Sequence, residues 1–281
     1  MAVRIPIIVV PTVTKLAPDR SGAVVVGGSH AAVFPVYLVV QSGARAAVLH
    51  DAGIGKDEAG VSGLAWAETF GMAVAAVAAA SARIGDGEDM VTRGVISRAN
   101  ALARHCGVEV GMNAGEAADR LRLAPLPSHR MKQGDHVRSI YDFPAGKRRI
   151  VCLDSISLAT WQDRGQVIAC GSHGGLPTLN YTAEVRPALA IFNDAFAAAE
   201  NSGTAALKPL AAEGIAAAAV SSSSARIGTG RSTLLEGILS ACNSEAVALG
   251  AQVGTPALEL AKKAARGGRT LALKSVPVPG I

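Results

Sequence analysis

Gly28-Ser29-His30 and Gly171-Ser172-His173 put the same three residues into one chain twice, each time after an apolar run. Imidazole titrates near neutrality, so His30 and His173 are candidate general bases. An aspartate follows each histidine by 21 residues, Asp51 and Asp194, and a carboxylate can fix an imidazole's tautomer. Ser29 and Ser172 adjoin the histidines, but neighbours in an extended turn point apart, so a nucleophile is better sought elsewhere. Ser81 and Ser224 each open an identical Ser-Ala-Arg-Ile-Gly and could serve as nucleophile or hydrogen-bond donor. In that run Arg83 and Arg226 carry the paired donors that match a carboxylate or phosphate. The glycines that follow let backbone N–H groups approach an anion where the next helix begins. Lys56 sits in Asp-Ala-Gly-Ile-Gly-Lys, a glycine-rich loop carried by the first half alone. The catalytic candidates are therefore His30, Asp51, Lys56, Ser81, His173, Asp194 and Ser224. The substrate-binding candidates are Gly28, Ser29, Arg83, Gly171, Ser172, Gly174 and Arg226.

Each has a plainer counterpart. A Gly-Ser-His can be a tight turn whose serine caps a helix and whose histidine packs. Either arginine can clamp two parts of the fold together, and the Lys56 loop can be an exposed helix start. That loop is not a phosphate-binding P-loop, because Asp57 follows Lys56 and the glycine spacing is wrong. The acidic residue after each histidine fits a ribose contact, yet the Gly-x-Gly-x-x-Gly of a dinucleotide site is missing. Cys170 at a strand end could be a low-pKa thiol or a small buried apolar residue. His50 beside Asp51 could join His30 on a divalent metal, but Asn193 stands at the matching place in the second half. His129 and His136 have no metal-ligand spacing. No metal and no cofactor are expected.

What positions these residues is a repeat. At an offset of 143 residues, without a gap, Gly28-Ser29-His30 falls on Gly171-Ser172-His173 and Asp51-Ala52 on Asp194-Ala195. The run Ser81 to Gly85 falls on Ser224 to Gly228, and Gly87, Gly94, Ser97 and Asn100 on Gly230, Gly237, Ser240 and Asn243. Each unit reads as a buried strand (PIIVVPTV; RIVCLDSI) and a second strand ending in Gly-Ser-His. A third strand then ends at the aspartate, and a helix stops near Gly71 or Gly214. A fourth strand ends at Ser-Ala-Arg-Ile-Gly. The spacing then predicts one long helix over 88–107 and another over 231–250, with Thr233 and Glu236 as a capping box. Apolar strands without polar alternation are buried on both faces, and their alternation with helices implies parallel pairing. The expected fold is α/β, a tandem duplication of one unit with mostly parallel sheets and pseudo-two-fold symmetry. Residues 1–123 and 150–281 are the repeats, and 124–149 a basic, Pro-containing connector. Ligands of such sheets bind beyond the strands' carboxyl ends, where the repeated polar clusters fall.

Composition narrows the partners. The chain has 281 residues, 49% hydrophobic and 17% charged, with a net charge of +5. Aromatics are only 4%, too few for the stacking that nucleic acid demands. Sparse charge implies self-association, so a homo-oligomer is expected. Cys106, Cys152, Cys170 and Cys242 form neither a zinc pattern nor a disulfide framework. The N-terminal apolar run is short and broken by proline, unlike a signal peptide, and Met72 to Ala80 is too short to span a bilayer. The expectation is a cytoplasmic enzyme on a small anionic metabolite, with no membrane and no nucleic-acid partner. A hydrolase of amide or related bonds leads. A lyase or isomerase using the same residues and a non-catalytic binding module are the alternatives.

Overall fold

The computed structural model describes residues 5–17, 22–127 and 137–267. His129 and His136 lie outside the described residues. The first half runs β1 (Ile7–Val10), β2 (Val24–His30), α1 (Val33–Gln41), β3 (Ala46–His50), α2 (Gly63–Glu68), β4 (Ala73–Val77), α3 (Gly87–Arg93), β5 (Ile96–Ala99), α4 (Ala101–His105) and α5 (Ala114–Leu121). The second runs β6 (Arg138–Tyr141), β7 (Ile150–Leu153), β8 (Val167–His173), α6 (Thr178–Val185), β9 (Leu189–Asn193), α7 (Leu207–Ala212), β10 (Ala217–Val220), α8 (Gly230–Leu235), β11 (Leu239–Cys242), α9 (Ser244–Ala248) and α10 (Ala257–Arg266).

The fold is α/β with two mixed sheets of mostly parallel strands. Their orders are β1-β2-β3-β4-β5 and β11-β10-β9-β8-β7-β6. β1 to β4 are parallel, as are β7 to β10, while β5, β6 and β11 run antiparallel to their neighbours. The valine- and alanine-rich strands bury both faces, as their unbroken apolar runs require. Val24, Val26 and Val48 pack against α3 to α5 on one face of the first sheet, and Val25, Ala47 and Leu49 against α1 and α2 on the other. The second sheet has the same two layers, led by Ile191 and Leu260 on one face and Phe192 and Leu210 on the other. β6 comes from the connector and extends this sheet along β7.

Two expectations are corrected. The long helices over 88–107 and 231–250 are each interrupted by a strand, giving α3-β5-α4 and α8-β11-α9. Gly94 and Gly237 end the first helices: a Cβ at either would collide with a carbonyl of the preceding turn, Met90 or Thr233, and with Val77 or Val220. Asn100 and Asn243 start the second ones. The Asn100 side chain accepts from the N–H groups of Val74 and Ala103 and donates to the carbonyls of Leu64 and Met72. Asn243 accepts from Ala217 and Ala246 and donates to Leu207 and Ile215. An apolar period near 3.6 cannot register these side-chain commitments. The capping box is absent too. Thr233 lies inside α8 and donates to the Cys170 carbonyl, while Glu236 closes that helix and pairs with Lys56 and Arg226.

The two halves are laced together by loops that cross between them. Lys56 N donates to Ser222 O and, 143 residues on, Ala199 N donates to Ala79 O, both at 2.8 Å. Arg83 pairs with Glu200 at 2.9 Å, and Arg226 with Asp57 at 3.1 Å, the same exchange again. Ile84, Ile227, Ala52 and Ala195 fill a small apolar core at the crossing. The crossing backbone is left-handed at Ala52 to Gly55 and at Ala195 to Ala198.

A hydroxyl-lined cleft between two histidines

His30 ends β2 and His173 ends β8, and the two close one cleft between the halves. Around them stand Thr12, Thr14, Ser29, Ser155, Ser157, Ser172, Thr178 and Tyr181, eight hydroxyl side chains. No ionised side chain lines it among the described residues. The cavity is about 30 Å³. Thr14 and Tyr181 bridge it with a 3.1 Å hydrogen bond between hydroxyls.

Both imidazoles are 5% exposed. Burial, with His50 nearby adding repulsion, pushes His30 down to about 3. Burial, then His30 and His50, pushes His173 down to about 3 as well. Both rings are neutral at physiological pH. Each ring also meets the glycine turn of the other half. A Cβ at Gly228 would stand 3.4 Å from His30 Cε1, and one at Gly85 would stand 3.6 Å from His173 Cε1. The rings differ in one contact. Gly175 N donates to His173 Nδ1 at 3.0 Å, which fixes the proton on Nε2. His30 Nδ1 is buried without a partner.

The other candidates are placed as follows. Ser29 Oγ accepts from Val13 N, and Ser172 Oγ from Ile156 N, so each holds the short turn after the neighbouring strand rather than a following helix. Gly28 and Gly171 let the turn after β4 or β10 lie on the end of β2 or β8, where Gly85 N donates to Gly28 O and Gly228 N to Gly171 O. Gly174 accepts from Ala206 N. Asp51 Oδ1 accepts from Gly53 and Ala79 N–H and Oδ2 from Ser97 Oγ, while Asp194 Oδ1 accepts from Phe196 and Ser222 N–H. These bonds run to turns and, through Ser97, to β5, not to an imidazole. Ser81 Oγ donates to Ala78 O and accepts from Val95 N, and Ser224 Oγ bonds Ser221 O and Ile238 N in the same way. Arg83 is held by Asp86, Asp89 and Glu200, and Arg226 by Asp57 and Glu236. Lys56 Nζ pairs with Glu236 across the halves at 3.1 Å.

His50 Nδ1 accepts from Ala52 N and Nε2 donates to Ala82 O, which leaves no ring nitrogen for a metal. Asn193 makes the same two bonds with an amide, accepting from Ala195 N and donating to Ala225 O. Burial pushes the Cys170 thiol up to about 12, the opposite of a reactive thiolate.

Sequence reasoning brought His30, His173, Ser29 and Ser172 to this cleft and missed Thr12, Thr14, Ser155, Ser157, Thr178 and Tyr181. The missed signal was the register itself: Pro11-Thr12-Val13-Thr14 lies 143 residues before Asp154-Ser155-Ile156-Ser157, beyond the carboxyl end of each half's first strand. Tyr181 has no such signal, since Leu38 stands at its counterpart. Neither a known protein family, a characterised protein nor a solved structure matches this chain.

Proposed function

We propose that the protein is an enzyme on a small molecule, that the cleft between the halves is its active site, and that His30 and His173 carry the chemistry. The observation that carries this reading is the convergence of two neutral, buried imidazoles, one from each half, on one hydroxyl-lined cavity. Hydrolysis of an amide or related bond uses both rings. His173 Nε2–H donates to the carbonyl oxygen and stabilises the negative charge it gains. His30 takes a proton from the water whose oxygen bonds to the carbonyl carbon, then returns it to the nitrogen as the carbon–nitrogen bond breaks. At rest His30 is a weak base, and the negative charge developing beside it raises its basicity in the transition state.

The expected aspartate partners and arginine clamp have no part in this version, because their bonds are spent on turns and on carboxylates. The same reading takes the halves as tandem copies of one unit about a pseudo-two-fold axis through the cleft. Reciprocal contacts at one offset support it. A non-catalytic binding module is the second reading, favoured by the low basicity of both rings. Release of ammonia or amine from a panel of small amides and lactams tests the two. The enzyme reading expects turnover that His30→Gln and His173→Gln each lower by at least a hundredfold with the fold intact. Saturable ligand binding without turnover selects the binding module.

A further inference from the structure

A second hollow lies at the other end of the second sheet. It measures about 380 Å³ and opens where the connector turns from β6 into β7. Tyr141, Phe143, Lys147, Arg148 and Arg149 line it, together with Gln166 at the amino end of β8. β8 runs from there to His173, so roughly 20 Å of strand separates the hollow from the histidine cleft.

Cations dominate this hollow. Asp142 is the only carboxylate in its lining. Behind the rings stand two more cations on α10. Lys262 lies 5.7 Å from the centre of the Phe143 ring and 5.9 Å from that of Tyr141, and Arg266 lies 5.3 Å from that of Phe143. A ring face holds a cation without neutralising it. Arg148 spends one N–H on the Ala264 carbonyl and Arg149 one on that of Gln162, so most of their donors remain. No carboxylate pairs with any of these five cations among the described residues. By contrast Arg83, Arg93, Arg138 and Arg226 each face one.

The end of α10 accounts for part of this. Its Ala264 and Ala265 carbonyls accept from Arg148 Nη1 and from the backbone N–H groups of Lys147 and Arg148. A helix end carries only about half a negative charge, however, and five cations gather here. Nor does the repeat need them. Arg148, Arg149, Lys262 and Arg266 stand where the first half has Ile5, Pro6, Asp119 and Leu123. Residues 268–281 add Arg269 and Lys274 and no acidic side chain.

We propose that this hollow binds a soluble small molecule carrying two or more phosphate groups. The guanidinium forks of Arg148 and Arg149 match phosphate oxygens, and Lys147 adds a compact charge beside them. A single phosphate cannot meet cations spread over the connector and α10, whereas a chain of phosphates can. The hollow is of small-molecule size, and its place apart from the cleft makes it a second site.

Calorimetry on the full-length protein at physiological ionic strength tests this with tripolyphosphate, orthophosphate and citrate. Tripolyphosphate is expected to bind saturably, one per chain, and at least about tenfold more tightly than the other two. In nitrogen-15 spectra of the unsubstituted protein it should shift the amides of Gly146, Arg149 and Gln166 and leave the His30 and His173 rings unmoved. A Lys147→Gln, Arg149→Gln double variant should weaken its binding about tenfold or more, the loss of two charge-assisted contacts. Arg98→Gln, Lys208→Gln, which removes the same charge from exposed positions elsewhere, should leave it unchanged. Equal losses in the two double variants would mean diffuse attraction and overturn the site. So would citrate binding as tightly as tripolyphosphate, shifts at the histidines in place of the connector, or no saturable binding. Tighter binding of single-stranded oligothymidylate, or of vesicles bearing anionic phospholipid, would make the hollow part of a macromolecular surface and overturn the small-molecule proposal.

Discussion

Gly228 lies against the ring of His30: a Cβ there would stand 3.4 Å from Cε1 and 3.3 Å from the Ala32 Cβ. Gly85 meets His173 in the same way, but with Pro177 Cδ only 2.6 Å from its missing Cβ. Both glycines have φ +82, where a side chain is strained. Each half thus closes the other half's histidine with a turn that only glycine makes easily. Gly85→Ala is expected to cost about 2–4 kcal/mol, strain plus overpacking, and Gly228→Ala about 1–2 kcal/mol. Urea unfolding of the two variants measures the difference. Equal losses would show that Pro177 yields freely.

The histidines also set the acid limit of the fold. His30 and His173 have folded values of about 3 against an ordinary 6.5, so below 6.5 the unfolded chain binds protons that the folded one refuses. Stability is full above pH 6.5 and falls as pH drops toward 3, by about 1.4 kcal/mol per unit for each ring. Burial lowers His50 as well, which adds in the same direction. Carboxylates held low, such as Asp89 and Asp163, act only further down. Urea midpoints between about pH 6.5 and 5 isolate the imidazoles. A His30→Asn, His173→Asn double variant should reduce that slope to the part that His50 leaves, and a wild-type profile already flat there would contradict neutral burial.

The buried parallel strands, and the two histidines at the ends of β2 and β8, were legible because apolar runs and short polar signatures recur at one offset. The strand order, the antiparallel β5, β6 and β11, and the role of the repeated charges were not. Arg83 and Arg226 look alike in sequence whether they hold a ligand or a carboxylate, and the crossing pairs them with Glu200 and Asp57, 117 and 169 residues away. Asn100 and Asn243 stood in the repeat, yet a matching letter does not reveal that the amide ends a strand and starts a helix.

Ala198 has φ 51 and ψ 177, a region natural to glycine, and its counterpart is Gly55. Ala198→Gly is therefore expected to raise stability by about 1 kcal/mol, strain released less the extra freedom of glycine in the unfolded chain. That is about 2–4 °C in Tm for a chain of this size. Gly53→Ala should do the reverse and more, because its Cβ would strike the Phe196 side chain in the crossing loop. Differential scanning calorimetry of both variants reads the two signs, and a drop in Tm for Ala198→Gly would refute the strain.

Arg83→Lys and Arg226→Lys keep a charge but lose the fork that spans two carboxylates. These arginines are two-fifths exposed, so their pairs are solvent-screened. The expected result is a small fall in Tm that shrinks with added salt, with cleft ligand affinity unchanged. A fall in affinity at constant Tm would instead return the arginines to the site as anion clamps.

His50 and Asn193 do one job with two chemistries: accept from the N–H two residues on, and donate to the carbonyl of the alanine before Arg83 or Arg226. An amide oxygen can replace Nδ1, and an amide N–H can replace Nε2–H. His50→Asn should therefore cost no more than about 1 kcal/mol, while His50→Ala, which leaves a buried N–H and a buried carbonyl unpaired and opens a cavity, should cost about 3–5 kcal/mol. His50 is also the second cause of the depressed value at His30 and the third at His173. Its removal should move both titrations upward, His30 more than His173. Nitrogen-15 titration of His50→Asn, beside its urea midpoint, checks both halves of the argument. A loss matching that of His50→Ala would mean that the ring's bulk, not its two hydrogen bonds, holds the turn.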